Sequence, residues 1–235
     1  MKKITGFTTL FLLLAIITGT HAQTVDDIVN KHIEARGGLD KIHSLQSLSM
    51  EGTLLQMGNE VQIKYYQAHN KGLKIEFSLM DQTGYSIITP TAGWSYNPFA
   101  GNTAAESIPE NQVKLSQVSL DLHGPLVDYQ SKGNKVEYLG KEKVNGADCY
   151  KMKVTRSSGK SGLYYLDAGY MLVKSVTPSL VNGEEQEVTT EYSDYRKSPE
   201  GYLVAYKRSS GVGDMTFSKV TFNPVLDENV FKPSN

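Results

Sequence analysis

Cysteine is almost missing. Of 235 residues only Cys149 is a cysteine, so no internal disulfide can form and the fold must be held by burial alone. Cys149 opens an alternating run, residues 149–154, with no base beside it, which reads as a small packed side chain and not a reactive thiol. An excess of either charge is missing too: 24 Lys and Arg against 25 Asp and Glu leave −1. Without clustered positive charge, nucleic acid is excluded as a partner. Beyond the first two dozen residues nothing approaches the roughly 20 apolar residues that cross a bilayer as a helix. Chemical signatures are also scarce. His21, His32, His43, His69 and His123 stand apart, without HxH, HExxH or Cys-x-x-Cys spacing, which argues against a metal site. There is no GxSxG and no Ser-x-x-Lys, and no glycine loop joins a strand to a helix to cradle a nucleotide. The sequence therefore predicts no catalytic residue, no metal and no cofactor.

What is present begins with an export signal. Lys2 and Lys3 precede an apolar run over residues 7–17, and Thr20-His21-Ala22 offers small residues for cleavage before Gln23. The expectation is a periplasmic protein with residues 1–22 removed. Gln23 is not a cysteine, so the new terminus has no site for a lipid anchor. Residues 23–235 show no composition shift and no fixed-period repeat, which predicts a single domain.

Thr24 is a good N-cap with Asp27 three residues on, and Gly37-Gly38 ends the helix they open. Val25, Ile28, Val29, His32 and Ile33 share one stripe of it. A second helical turn is expected over residues 39–45, with Leu39, Ile42 and Leu45 inward. From Leu48 the period changes to two. Alternating runs separated by Gly58-Asn59, Asn70-Lys71-Gly72, Asn145-Gly146, Ser158-Gly159, Asn182-Gly183 and Pro199-Glu200-Gly201 predict two antiparallel meanders. Residues 97–109 read as a loop. Leu115, Val118 and Leu122 suit a helix that His123-Gly124-Pro125 would stop. The tail after Asn223 is expected to dock through Val225, Leu226, Val230 and Phe231.

The centre of the pattern is the stretch from Leu73 to Tyr96. Leu73, Ile75 and Phe77 alternate with Lys74 and Glu76, a turn is expected over residues 81–84, and Tyr85 and Ile87 resume the extended pattern. Trp94 and Tyr96 follow, two amphipathic rings on one side of a short strand. These seven, Leu73, Ile75, Phe77, Tyr85, Ile87, Trp94 and Tyr96, are the candidate ligand-binding residues, taken to share one apolar face. Tyrosine is abundant at 14. Tyr164 and Leu166 on one face of a strand, with Leu163 and Tyr165 on the other, point to a second face that is partly covered or that contacts a ligand or partner, or to tyrosines placed by β-propensity alone. Met152, Met171 and Met215 suit either core filling or a cavity that takes variable chains.

Taken in order, the export signal, the helix ending Ala35-Arg36-Gly37-Gly38, the Gly93-Trp94-Ser95-Tyr96-Asn97-Pro98 segment, the Tyr164-Tyr165-Leu166-Asp167 strand and Tyr192-Ser193-Asp194-Tyr195-Arg196 resemble the LolA/LolB-like superfamily of periplasmic proteins, in particular its outer-membrane lipoprotein-sorting branch. That resemblance implies a mainly β (α+β) fold, a strongly curved antiparallel sheet forming an incomplete barrel, lidded by the N-terminal helix and a helical insertion. It also implies a carrier, not an enzyme, that shields acyl chains of a lipoprotein or lipid in transit to the outer membrane, handed on between membrane-bound donor and acceptor proteins. Family carriers have an arginine on an early strand that helps hold the lid; the nearest equivalents here are Lys71 and Lys74, which lack its bidentate fork. The alternative is a non-enzymatic envelope interaction or lipid-sensing module. A lipid-modifying enzyme is a third class, for which the sequence offers no polar cluster.

Overall fold

The computed structural model describes residues 23–181 and 184–234; the expected export signal and the Asn182-Gly183 turn lie outside them. Helix α1 (Val25–Ala35) starts at Thr24, whose side chain accepts from the Asp27 N–H while the Asp27 carboxylate accepts from Thr24 N–H, a reciprocal capping box. Helix α2 (Leu39–His43) follows the glycines, with Ile42 buried but Leu39 turned outward.

Thirteen strands then form one antiparallel sheet: β1 (Ser47–Gln56), β2 (Asn59–Ala68), β3 (Gly72–Leu79), β4 (Gln82–Ile88), β5 (Gly93–Tyr96), β6 (Glu106–Ser107), β7 (Lys135–Val144), β8 (Ala147–Thr155), β9 (Ser161–Leu166), β10 (Leu172–Val181), β11 (Glu184–Lys197), β12 (Leu203–Ser210) and β13 (Gly213–Phe222). Their spatial order is β6-β5-β4-β3-β2-β1-β13-β12-β11-β10-β9-β8-β7, so the two meanders join where β1 pairs with β13, and β6 and β7 are edges that do not meet. The sheet is not closed into a barrel.

Its curvature has local causes. At the β1/β13 seam the register slips between Glu51 and Gly52, a bulge that sharpens the local twist. A Cβ on Gly52 would overlap the Thr216 carbonyl and the Phe217 backbone, so only glycine admits this approach. Similar slips interrupt β7/β8 and β9/β10.

The concave face carries most of the core. Ile28 and Val29 of α1 pack with Val136, Met152, Val154, Tyr164 and Leu166 on β7 to β9. Leu48, Met50, Leu54 and Ile63 pack with Phe217 around the seam. Helix α3 (Glu110–Ser116) and a 3-10 turn (Gln117–Leu120) lie in the insertion between β5 and β7, and α3 reaches across to β10. Residues 97–109, expected as a plain loop, hold a 3-10 turn (Pro98–Ala100) and the edge strand β6.

On the convex face the tail docks through Leu226, Val230 and Phe231, but Val225 is fully exposed. The second face of β9 is covered as well. Tyr165 is buried with Val144 and Cys149, and Lys151 and Lys174 lay ammonium groups 5.6 and 5.0 Å from its ring centroid. Burial among these side chains pushes the Cys149 thiol up, away from the reactive thiolate.

Candidate site: a cavity under the insertion

Between the concave face and the helices lies a cavity of about 1090 Å³, just above the roughly 300–1,000 Å³ typical of ligand pockets. Leu73 and Ile75 on β3 and Tyr164 on β9 line the same space although six strands separate β3 from β9, which is the geometric measure of how far the sheet curls. Part of the lining is apolar: Leu48, Leu73 and Ile75 from the sheet, with Leu115, Val118 and Leu122 from the insertion. Val118 is 37% exposed, unusual for a valine on an inward face and explained by the cavity beside it. Met171 and Met215 also line the space, whereas Met152 is fully packed core.

The seven candidate residues do not share a face, and that expectation is corrected. Leu73 and Ile75 line the cavity. Phe77 is on the same side but beyond the cavity, packed on the seam cluster with its ring across Gly84 and 6.1 Å from Phe99. A Cβ on Gly84 would overlap that ring. Tyr85, Ile87, Trp94 and Tyr96 are on the convex face, packed together under Phe231 of the tail. The reason is register. The β3–β4 connection is a two-residue turn at Met80 and Asp81, both at positive φ (48° and 63°), and a turn with an even number of residues sets odd positions of one strand opposite even positions of the next. Thus Phe77 opposes Gly84, Glu76 opposes Tyr85 and Lys74 opposes Ile87, and the β4/β5 register then carries Trp94 and Tyr96 to the same side.

The remaining wall is polar and cationic, which the sequence did not reveal. Arg36, Arg156, Arg208, Ser175, Tyr192 and Tyr195 line it. Arg36, at the end of α1, donates from Nη1 to the His123 carbonyl at 2.6 Å; burial makes its charge costly and pushes its pKa down. Arg156 donates to the Tyr164 hydroxyl at 3.0 Å. The Tyr195 hydroxyl donates to the Leu172 carbonyl at 2.7 Å, and burial drives its pKa well above the usual phenol range. Lys71 and Lys74, the nearest equivalents of a lid-holding arginine, do not line this wall. Lys74 sits on the convex face, paired with Glu76 at 2.8 Å and over the Tyr85 ring, and Lys71 is exposed in the β2–β3 turn. The cation that ties helix to insertion is Arg36.

The insertion is fastened to the cavity rim by a dense set of bonds. Gln67 Nε2 donates to the Ser119 carbonyl at 2.6 Å, Asn70 N–H to the Leu120 carbonyl at 2.9 Å and Gln117 Nε2 to the Pro90 carbonyl at 2.6 Å. Histidines apart in sequence meet here. His69 and His123 stack with centroids 3.9 Å apart, and His43 lies 5.5 Å from His123. His43, His123 and Asp128 form one group of possible metal-ligating atoms, and His69, Asp121 and His123 another. Several of these atoms are already engaged: His69 Nδ1 accepts from Leu122 N–H at 3.2 Å, His123 Nε2 donates to the Leu45 carbonyl at 3.1 Å, His43 Nε2 pairs with Asp128 at 2.6 Å, and Lys132 pairs with Asp121 at 2.7 Å. The cluster is a hydrogen-bonded fastener between the β2–β3 turn, the α2–β1 connection and the insertion.

Compared with known proteins, the sequence matches no family model and no curated protein. Solved structures do match. A domain assigned to outer membrane lipoprotein sorting from Vibrio parahaemolyticus superposes with a TM-score of 0.55 at 17% identity, covering 89% of this chain and 97% of that one. A LolA superfamily protein from Nitrosomonas europaea gives 0.54 at 14%, covering 90% and 99%. A DUF1329 family protein from Desulfovibrio piger gives 0.58 at 14%, covering 90% and 98%. The chain has the fold these proteins share, over nearly its whole described length.

Proposed function

We propose that the protein is a non-catalytic carrier that shelters an acyl chain of a lipid or lipoprotein between envelope membranes. One observation carries the reading: a cavity of about 1090 Å³ whose apolar lining combines Leu73 and Ile75 of the sheet with Leu115, Val118 and Leu122 of the insertion. Apolar side chains lining open space cost stability unless something apolar fills it, and each buried methylene of a guest returns roughly 0.8 kcal/mol. The lipoprotein-sorting assignment of the Vibrio domain and the shared fold are consistent with such cargo. An export signal at residues 1–22 would deliver the chain to that compartment, with donor and acceptor membranes on either side. Loading and release then require the insertion to lift, since it forms one wall.

The test is native mass spectrometry of protein purified gently from its host envelope, followed by binding of a fluorescent fatty acid to the delipidated protein. A lipid-sized adduct and saturable uptake are expected, and Ile75→Asp should reduce uptake at least tenfold, while Lys153→Ala leaves it intact. A clean mass with no uptake would reject the carrier and favour an envelope interaction module.

A further inference from the structure

A carrier for acyl chains alone needs a uniformly apolar cavity, and this one is not. Its wall holds Arg36, Arg156 and Arg208 together with Lys41, Lys114 and Lys160, against Asp121 and Glu185 as its only acids among the described residues. Asp121 is engaged by Lys132 at 2.7 Å, Glu185 neutralises Lys160 at 2.5 Å and Lys114 pairs with Glu110 at 2.7 Å, so the excess rests with the arginines and Lys41. None of the three arginines has a carboxylate within ion-pair distance among the described residues. The cavity therefore carries uncompensated positive charge.

Arg208 is the extreme case. Its Nε is the one buried side-chain polar atom without a hydrogen-bond partner among the described residues. Its Nη2 reaches only the Met50 thioether, at 3.8 Å, and its guanidinium lies 5.2 Å from the Phe217 ring centroid. A buried donor left unmade costs on the order of 1–3 kcal/mol, more when charged, so the arrangement persists most economically if a ligand completes it. The neighbouring strand supplies a second donor. Tyr192 stands directly opposite Arg208 in the β11/β12 register, and its hydroxyl lies 3.2 Å from that of the buried Ser175. One of these hydroxyls donates to the other, which leaves the acceptor's own proton free for a guest.

We infer that the cargo carries an acidic group, a carboxylate or a phosphate, seated on Arg208 and the Tyr192–Ser175 hydroxyls, with its chain running to the Leu73, Ile75 and Leu115 wall. This rests on the carrier reading and sharpens it: the guest is an anionic amphiphile, not a neutral one. A planar fork suits either oxyanion, binding two oxygens at once.

The experiment is calorimetric titration of the delipidated protein with three chain-matched probes: dodecanoic acid, dodecyl phosphate and dodecanol. At least one acid should bind about ten- to a hundredfold more tightly than dodecanol, the gain of a charge-assisted hydrogen bond, and the tighter acid identifies carboxylate or phosphate as the head group. Arg208→Met should erase that preference, bringing the acids down to the variant's own dodecanol affinity, and Arg208→Lys should retain part of it. Should Arg208→Met fail to fold, Tyr192→Phe provides the contrast, with a loss of several-fold confined to the acids. Equal affinity of acids and alcohol, or a preference that survives both Arg208→Met and Tyr192→Phe, overturns the inference while the carrier stands. If none of the three binds, dodecanol included, the carrier reading itself falls.

Discussion

The imidazoles of His69 and His123 stack at 3.9 Å with their planes 17° apart, one from the β2–β3 turn and one from the insertion that walls the cavity. Burial holds both below the usual imidazole pKa, helped at His123 by His69 itself and at His69 by Lys132 and His43; it is opposed at His123 by the bond to the Leu45 carbonyl and then Asp121, and at His69 by Asp121. The stack is thus built for neutral rings. A lifted insertion takes up protons that the fastened one does not, so fastening is strongest above the ordinary imidazole value of about 6.5 and weakens as pH falls below it. Protonated His69 also loses the Nδ1 lone pair that accepts Leu122 N–H. Amide exchange of residues 117–126 should accelerate between pH 7 and pH 5 ahead of the sheet, and His69→Gln should remove most of that acceleration. Protection that stays constant over this range would show that the histidines do not gate the insertion.

A second histidine acts on global stability. His32 is 5% exposed in α1, donates from Nδ1 to the Tyr170 carbonyl at 2.7 Å, and has its pKa lowered to about 4 by burial first and by the adjacent Arg36 second. Its folded pKa lies below its unfolded value, so the unfolded chain binds more protons in between and stability is lost as pH drops from about 6.5 toward 4. The loss is about 3 kcal/mol if the full shift is realised. Denaturant titrations at pH 7 and pH 4.5 should show this fall in the wild type and a smaller one in His32→Gln. Equal slopes in the two proteins would assign the acid lability elsewhere.

These groups show where sequence reasoning reaches and where it stops. Local signals were legible: the Thr24 capping box and the alternation of Leu73 and Ile75 reappear, and of the expected helical set Leu115 lies in α3, while Val118 falls in the 3-10 turn and Leu122 beyond it. Relations between strands were not. Alternation says that Tyr85 and Ile87 share a face but not which face of β3 they join; the two-residue turn at Met80 and Asp81 decides that. The cationic wall was hidden for the same reason, since Arg36, Arg156 and Arg208 come from α1, the β8–β9 turn and β12 and meet only because the sheet curls. His43, His69 and His123 have no mutual spacing that a motif could capture. They are joined by the insertion folding back on the rim, a contact of topology and not of pattern.

The separation of the two faces makes the tail and the cavity independent to experiment. Phe231 covers Gly72, Tyr85 and Ile87 on the convex face, and the sole tryptophan, Trp94, belongs to the same cluster. Phe231→Ala removes a buried ring and should cost about 3 kcal/mol, with a red shift of Trp94 emission as the cluster opens to water. Because Trp94 is separated from the cavity by the thickness of the sheet, filling the cavity with an acyl probe should leave that emission nearly unchanged, and Phe231→Ala should bind the probe as the wild type does. Strong quenching of Trp94 by the probe would place the ligand on the convex face, against the tail, and would return Tyr85, Ile87, Trp94 and Tyr96 to the binding site.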